Sequence, residues 1–129
     1  MFDLTWYNTL NQPFLTPPAW VFAPAWTFLY ITIFAALIVY AFRKSDKNKT
    51  WGYVLFFAQM LLNLLWSPIF FYYHNIALAL VVVVLMTVLV LWNIVEFYKI
   101  SKIAGAILIP YLCWTIFAAY LNFGILVLN

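Results

Sequence analysis

A chain of 129 residues that is 69% hydrophobic and 7% charged is not built to face water. A soluble domain carries charge at about a quarter of its positions, so lipid must replace water around most of this one. The net charge of +3 rests on six Lys and Arg against three Asp and Glu, too few and too confined to short loops for a nucleic-acid face.

Residues 1–18 are too polar and too rich in proline to span a bilayer, and Pro13, Pro17 and Pro18 predict an extended or turning path. Met1 to Leu10 contains no cationic stretch followed by an apolar run, so no cleavable leader is expected. Thr16 before Pro17 has the form of a helix N-cap with proline at the first helical position. The first span is expected at about residues 19–42. Pro24 inside it predicts either a kink or the true start of the regular helix. From Pro24 to Phe42 the helix still measures roughly 28 Å, enough to cross the hydrocarbon.

The run RKSDKNKT separates this span from a second at 51–72, with Pro68 near its end. His74 and Asn75 form a turn into the third span at 76–97. There VVVVLMTVLVL offers Thr87 as its one polar group, which predicts a helix that packs through Ala77 and Ala79 and otherwise faces lipid. Lys99 and Lys102 mark a basic turn, and the fourth span runs over 104–128 with Pro110 inside. The fold class is therefore all-α: one domain over 1–129, an antiparallel bundle of four transmembrane helices with an extramembrane lid at 1–18. Arg43, Lys44, Lys47, Lys49, Lys99 and Lys102 all lie in the loops 43–50 and 98–103, and the other connections carry none. The positive-inside rule puts those loops in the cytoplasm and both termini outside.

Polar and aromatic ridges inside membrane helices carry information because lipid supplies no hydrogen bonds. Phe22, Trp26 and Tyr30 recur every fourth residue and share a face of the first span. Gln59, Asn63, Trp66 and Phe70 do so in the second, and Tyr111, Trp114, Ala118 and Asn122 in the fourth. Each residue alone reads as glue between helices. As a set, Trp26, Trp66 and Trp114 beside the small Ala118 are suited to wall a slot for a flat apolar ligand, with Asn63 and Gln59 as hydrogen-bonding groups. Trp51, Trp92, Tyr72 and Tyr73 sit near span ends and read as an interfacial belt. Glu96 reads as a solvated charge at the edge of its span. Cys113 is the one cysteine; it permits no disulfide within the chain and reads as a packing residue. No second His, Cys or acid lies at metal spacing from His74, and the sequence offers no catalytic triad, phosphate loop or carboxylate pair, so no metal site and no catalytic residue are expected.

The runs WYNTLNQP, PPAWVFAPAWTFLY, QMLLNLLWSPIFF and PYLCWTIFAAYLN, in this order, closely resemble the tryptophan-rich sensory protein/translocator protein (TspO/MBR) family, also called peripheral-type benzodiazepine receptors. The resemblance implies a helical membrane protein, often a homodimer, that binds porphyrins such as protoporphyrin IX, haem and its precursors, and in some members cholesterol. No cofactor is required. Carried over by position, the pocket aromatics are Trp26 and Trp114 with Ala118 at the small position of the last helix. Tyr7, Pro18, Phe22, Tyr30, Asn63 and Trp66 line the rest. The family has five spans, and its first has no counterpart here; a misplaced start, a lost helix and a shortened chain each account for that. Leu15 stands where the family has a tryptophan before the double proline. Phe123 stands where the sterol motif of animal members has its tyrosine, with no Lys or Arg after it, so a tetrapyrrole is favoured over a sterol.

The reading is a tetrapyrrole-binding membrane sensor or regulator, expected in a bacterial cytoplasmic membrane, and not an enzyme unless light drives breakdown of the bound pigment. Two rivals stand beside it: a small four-helix transporter of aromatic compounds, and a partner subunit whose amides only hold helices together.

Overall fold

The structure is a computed structural model that describes residues 9–14, 16 and 19–129. Tyr7, Leu15, Pro17 and Pro18 lie outside the described residues. A 3-10 turn, Ala19–Val21, leads into α1, Phe22–Phe42; α2, Thr50–Ser67, continues as a π-turn, Pro68–Tyr72; α3 is Ile76–Ile100, α4 is Lys102–Ile107 and α5 is Ile109–Leu128. With α4 and α5 taken as one broken span, four helices are long and apolar enough to cross a membrane.

Local chemistry sets the breaks. Pro24 falls in the first turn of α1, where its missing N–H costs nothing, so the helix starts there instead of kinking. Thr16 is not its cap: the hydroxyl donates back to the Pro13 carbonyl, and α1 begins after Val21 with no side-chain cap. Pro68 disrupts the regular ladder of α2, and the chain closes a wider turn in which Tyr73 N–H reaches Pro68 O at 3.0 Å. Asn75 caps α3 by accepting from Leu78 N–H at 3.0 Å, and Ser101 caps α4 by accepting from Ala104 N–H. Pro110, in the first turn of α5, breaks the last span at Leu108.

Helix α2 packs along α3, α3 along α5, and α1 against α4 and α5. Helices α1 and α2 meet mainly through side chains. At the basic end Lys49 reaches back over α1 and donates to the carbonyls of Tyr40 and Ala41, at 3.0 and 3.3 Å, and to that of Arg43. A lysine thus fills the C-terminal capping role in an otherwise apolar helix. Beneath it Tyr40 stacks on Phe97, with ring centroids 4.0 Å apart, and donates to Lys49 O. Lys47 Nζ donates to Lys99 O at 3.0 Å, so the two basic loops meet at one end of the bundle. Asn11 and Asn129 meet at the other.

Helix α3 corrects the expectation drawn from its composition. It is the central helix, burying Ala79, Val82, Val83, Met86, Val90, Asn93, Phe97 and Ile100, while Ala77 is exposed. A helix that is apolar all round gives no contrast between its core and lipid faces, so sequence periodicity is silent there. It also carries a buried amide, Asn93, which donates to Gly52 O at 3.2 Å and ties α3 to α2. Cys113 is a second correction: it is exposed on the outside of α5 and does not pack in the core.

Candidate functional site

The three ridges converge in the half of the bundle away from the basic loops. Trp26 of α1 and Trp114 of α5 meet edge to face, with centroids 6.1 Å apart and planes at 82°. Phe22 adds a second edge contact to Trp114 at 6.2 Å, and Tyr30 lies 5.8 Å from Trp26. Both indoles are half-buried and Ala118 is buried beside them. They form one continuous aromatic wall, in contact with each other and not facing across a gap. Trp66 has its ring contacts elsewhere, with Phe70 at 5.2 Å and Phe71 at 5.8 Å, and donates Nε1–H to Asn122 Oδ1 at 3.1 Å. Asn122 in turn donates to Ile76 O at 3.0 Å. Among the described residues the three tryptophans therefore make two neighbouring aromatic groups.

The amides are already engaged. Tyr30 donates to Asn63 Oδ1; Asn63 Nδ2 donates to the Tyr111 hydroxyl at 2.7 Å; Tyr111 donates to Gln59 Oε1 at 2.6 Å. This relay crosses α1, α2 and α5 and satisfies polar groups where lipid cannot. Asn63 thus has both of its side-chain functions taken up by protein. Tyr111 was legible as part of the α5 ridge but was not among the pocket residues implied by the resemblance. Three buried groups able to donate keep no partner among the described residues: Gln59 Nε2, Ser67 Oγ and Trp114 Nε1. The last belongs to the aromatic wall itself.

On its outer side the wall borders an open groove of about 360 Å³ between α1 and α5, lined by Ala25, Phe28, Leu29, Pro110, Cys113, Trp114 and Phe117. Phe117 lies tilted beside Trp114, with ring centroids 5.7 Å apart, and extends the aromatic surface by one turn, a role its i+3 spacing from Trp114 would have signalled. No group of three or more His, Cys, Asp or Glu is arranged to hold a metal among the described residues.

Four membrane-length helices around a polar relay and an aromatic wall define a polytopic α-helical membrane protein. The chain belongs to the TspO/MBR family, whose profile matches residues 2–128. It is 42% identical over 127 residues to the tryptophan-rich protein TspO of Chlorobaculum tepidum, covering 96% of this chain and 79% of that one. Identity is also 42% over 125 residues to the TspO of Archaeoglobus fulgidus, covering 97% and 80%. Against the translocator protein of Homo sapiens it is 33% over 122 residues, covering 93% and 72%.

Proposed function

We propose that this protein is a membrane receptor for a planar tetrapyrrole, protoporphyrin IX or a haem precursor, acting as a sensor or regulator. The observation that carries the reading is the wall of Phe22, Trp26 and Trp114 with a buried, unpartnered indole N–H in it. A flat π-system gains from stacking on such a surface, and one fixed donor gives it a preferred orientation. Similarity to proteins called tryptophan-rich sensory protein and translocator protein points the same way. A proton-coupled transporter needs a carboxylate inside the membrane. Glu96 instead pairs with Lys99 at 3.2 Å, at the basic end of α3, which favours a receptor over a pump. The basic loops would lie in the cytoplasm with both termini outside, and a homodimer in a bacterial cytoplasmic membrane is the expected setting.

Titration of protoporphyrin IX into the protein in lipid nanodiscs, followed by quenching of tryptophan fluorescence, tests the reading. Saturable quenching is expected, and a Trp26→Ala, Trp114→Ala double variant is expected to weaken binding by about tenfold or more. A folded parent with no saturable quenching overturns the proposal; unchanged affinity in the double variant removes these two indoles from the site. Turnover of the pigment would be a separate property, read as faster loss of porphyrin absorbance under illumination with the parent than with Trp114→Phe.

A further inference from the structure

The flank of α1 is unevenly sealed. Helix α1 packs closely along the short α4, but beyond the break at Leu108 it meets α5 only sparsely. The seam opens there into the groove of about 360 Å³, with Pro110 on one side and Phe28, Leu29 and Cys113 among its walls. Its lining is apolar, so burial alone holds a guest there, and a hydrocarbon chain suits it. Ile103, Ala106 and Pro110 recur every three or four residues and are all exposed, so an apolar strip runs from the groove toward the basic end.

At the basic end the six cations fall into two groups. Lys49 donates to three carbonyls at the end of α1, Lys47 donates to Lys99 O, and Lys99 pairs with Glu96. Arg43, Lys44 and Lys102 are exposed, and their side chains make no hydrogen bond or ion pair among the described residues. Asp46, also exposed, is the other acid of these loops. Arg43 follows the last turn of α1, and Lys102 opens α4, the helix packed against it. The unengaged cations therefore stand where the seam begins. Arg43 is also about five helical turns from Ala25, which puts it in line with the α1 wall of the groove.

The lengths agree with a lipid lying in this seam. At 1.5 Å per residue, Arg43 is about 21 Å along the axis from Leu29, and Lys102 about 16 Å from Cys113. In a bilayer about 40–45 Å thick with its headgroups, a lipid phosphate sits about 20 Å from the midplane. A phosphate placed among Arg43, Lys44 and Lys102 leaves its acyl chain just long enough to end in the groove.

We propose that the seam between α1 and the α4–α5 span is a site for one anionic phospholipid. Its phosphate is held by Arg43, Lys44 and Lys102, and one acyl tail lies along Ile103 and Ala106 into the groove at Pro110 and Cys113. Charge selects the lipid: three cations with one neighbouring acid favour a headgroup of net negative charge over a zwitterion. The tail covers a flank of α1, the span with the smallest share of its residues buried inside the protein. The site is independent of whatever binds at the aromatic wall.

Photocrosslinking tests the proposal. The protein is placed in phosphatidylcholine nanodiscs that contain a small fraction of either phosphatidylglycerol or phosphatidylcholine carrying a diazirine at the tail end, and adducts are mapped by mass spectrometry. Phosphatidylglycerol is expected to label residues 25–29 and 110–117 about fivefold or more above phosphatidylcholine, with equal labelling by the two on the lipid face of α3. Arg43→Gln with Lys102→Gln should erase that excess. Lys47→Gln with Lys99→Gln removes the same charge from engaged lysines and should leave the excess within about twofold of the parent. Cys113→Phe fills the groove without altering charge and should lower labelling of residues 25–29 by about threefold or more. Equal labelling of the seam by the two lipids overturns the proposal. An excess lost equally in both double variants marks a diffuse surface potential and overturns a built site. An excess that survives Arg43→Gln with Lys102→Gln overturns the assignment of the cations. Unchanged labelling of residues 25–29 in Cys113→Phe overturns the placement of the tail.

Discussion

Tyr111→Phe isolates the polar relay. The hydroxyl accepts from Asn63 Nδ2 at 2.7 Å and donates to Gln59 Oε1 at 2.6 Å, on a residue with no exposed surface. Removing one oxygen breaks two hydrogen bonds and leaves a donor and an acceptor without partners in a region without water. Side-chain hydrogen bonds between membrane helices contribute about 0.6 kcal/mol on average and up to about 1.7. A buried group left unsatisfied costs about 1–3 kcal/mol. Because Gln59 Nε2 already lacks a partner, the variant leaves that whole amide stranded, and the expected loss is about 2–4 kcal/mol. Reversible unfolding in mixed micelles, with increasing mole fraction of a denaturing detergent, measures it. Adding Gln59→Leu to Tyr111→Phe should return about 1 kcal/mol or more, since an apolar pair has no unmet bonds. If Tyr111→Phe unfolds within about 0.5 kcal/mol of the parent, the relay contributes no more than an exposed bond would and the argument fails.

Two further substitutions test the basic end. Gly52→Ala would place a Cβ 2.1 Å from the Tyr40 hydroxyl oxygen and 2.5 Å from its ring carbon, displacing Tyr40 from Phe97 and from Lys49 O. The expected cost is about 2–4 kcal/mol by the same unfolding assay, and Tyr40→Ala added to it should cost less than the sum of the two singles. Lys49→Met should cost about 1–2 kcal/mol, because three carbonyls at the end of α1 lose their donor, whereas Lys44→Met should be neutral within about 0.5 kcal/mol.

The number of spans, their approximate limits and the inward faces of α1, α2 and α5 were legible because each of those helices mixes aromatics and amides with aliphatic residues. In lipid an amide such as Gln59 or Asn122 must find protein, so its position marks the core side. The failures share one cause, which is the absence of that contrast. Helix α3 is uniformly aliphatic over most of its length, so nothing in it distinguished a central helix from a peripheral one, and Asn93 lay just beyond the run that was read. Cys113 was placed by the apolar character of its neighbours, but in a membrane protein apolar neighbours occur on the lipid face as often as inside. The pairing of Asn11 with Asn129 escaped for a different reason. Asn11 and Asn129 are separated by nearly the whole chain, and only the closing of the bundle brings them together.

The same distinction bears on how the proposed site would recognise a ligand. From the sequence alone, Asn63 and Gln59 looked like the polar groups available to a guest. The folded bundle uses one donor and one acceptor of Asn63 and the carbonyl oxygen of Gln59 to join α1, α2 and α5. A ligand that took over either of these bonds would break a link between helices, which in lipid costs about as much as the new bond returns. The Trp114 N–H has no such bond to give up, and it lies in the wall that would bear the ligand's face. On the receptor reading, selectivity would rest on ring shape and one indole donor, while the amide relay holds Tyr30, and through it Trp26, beside Trp114.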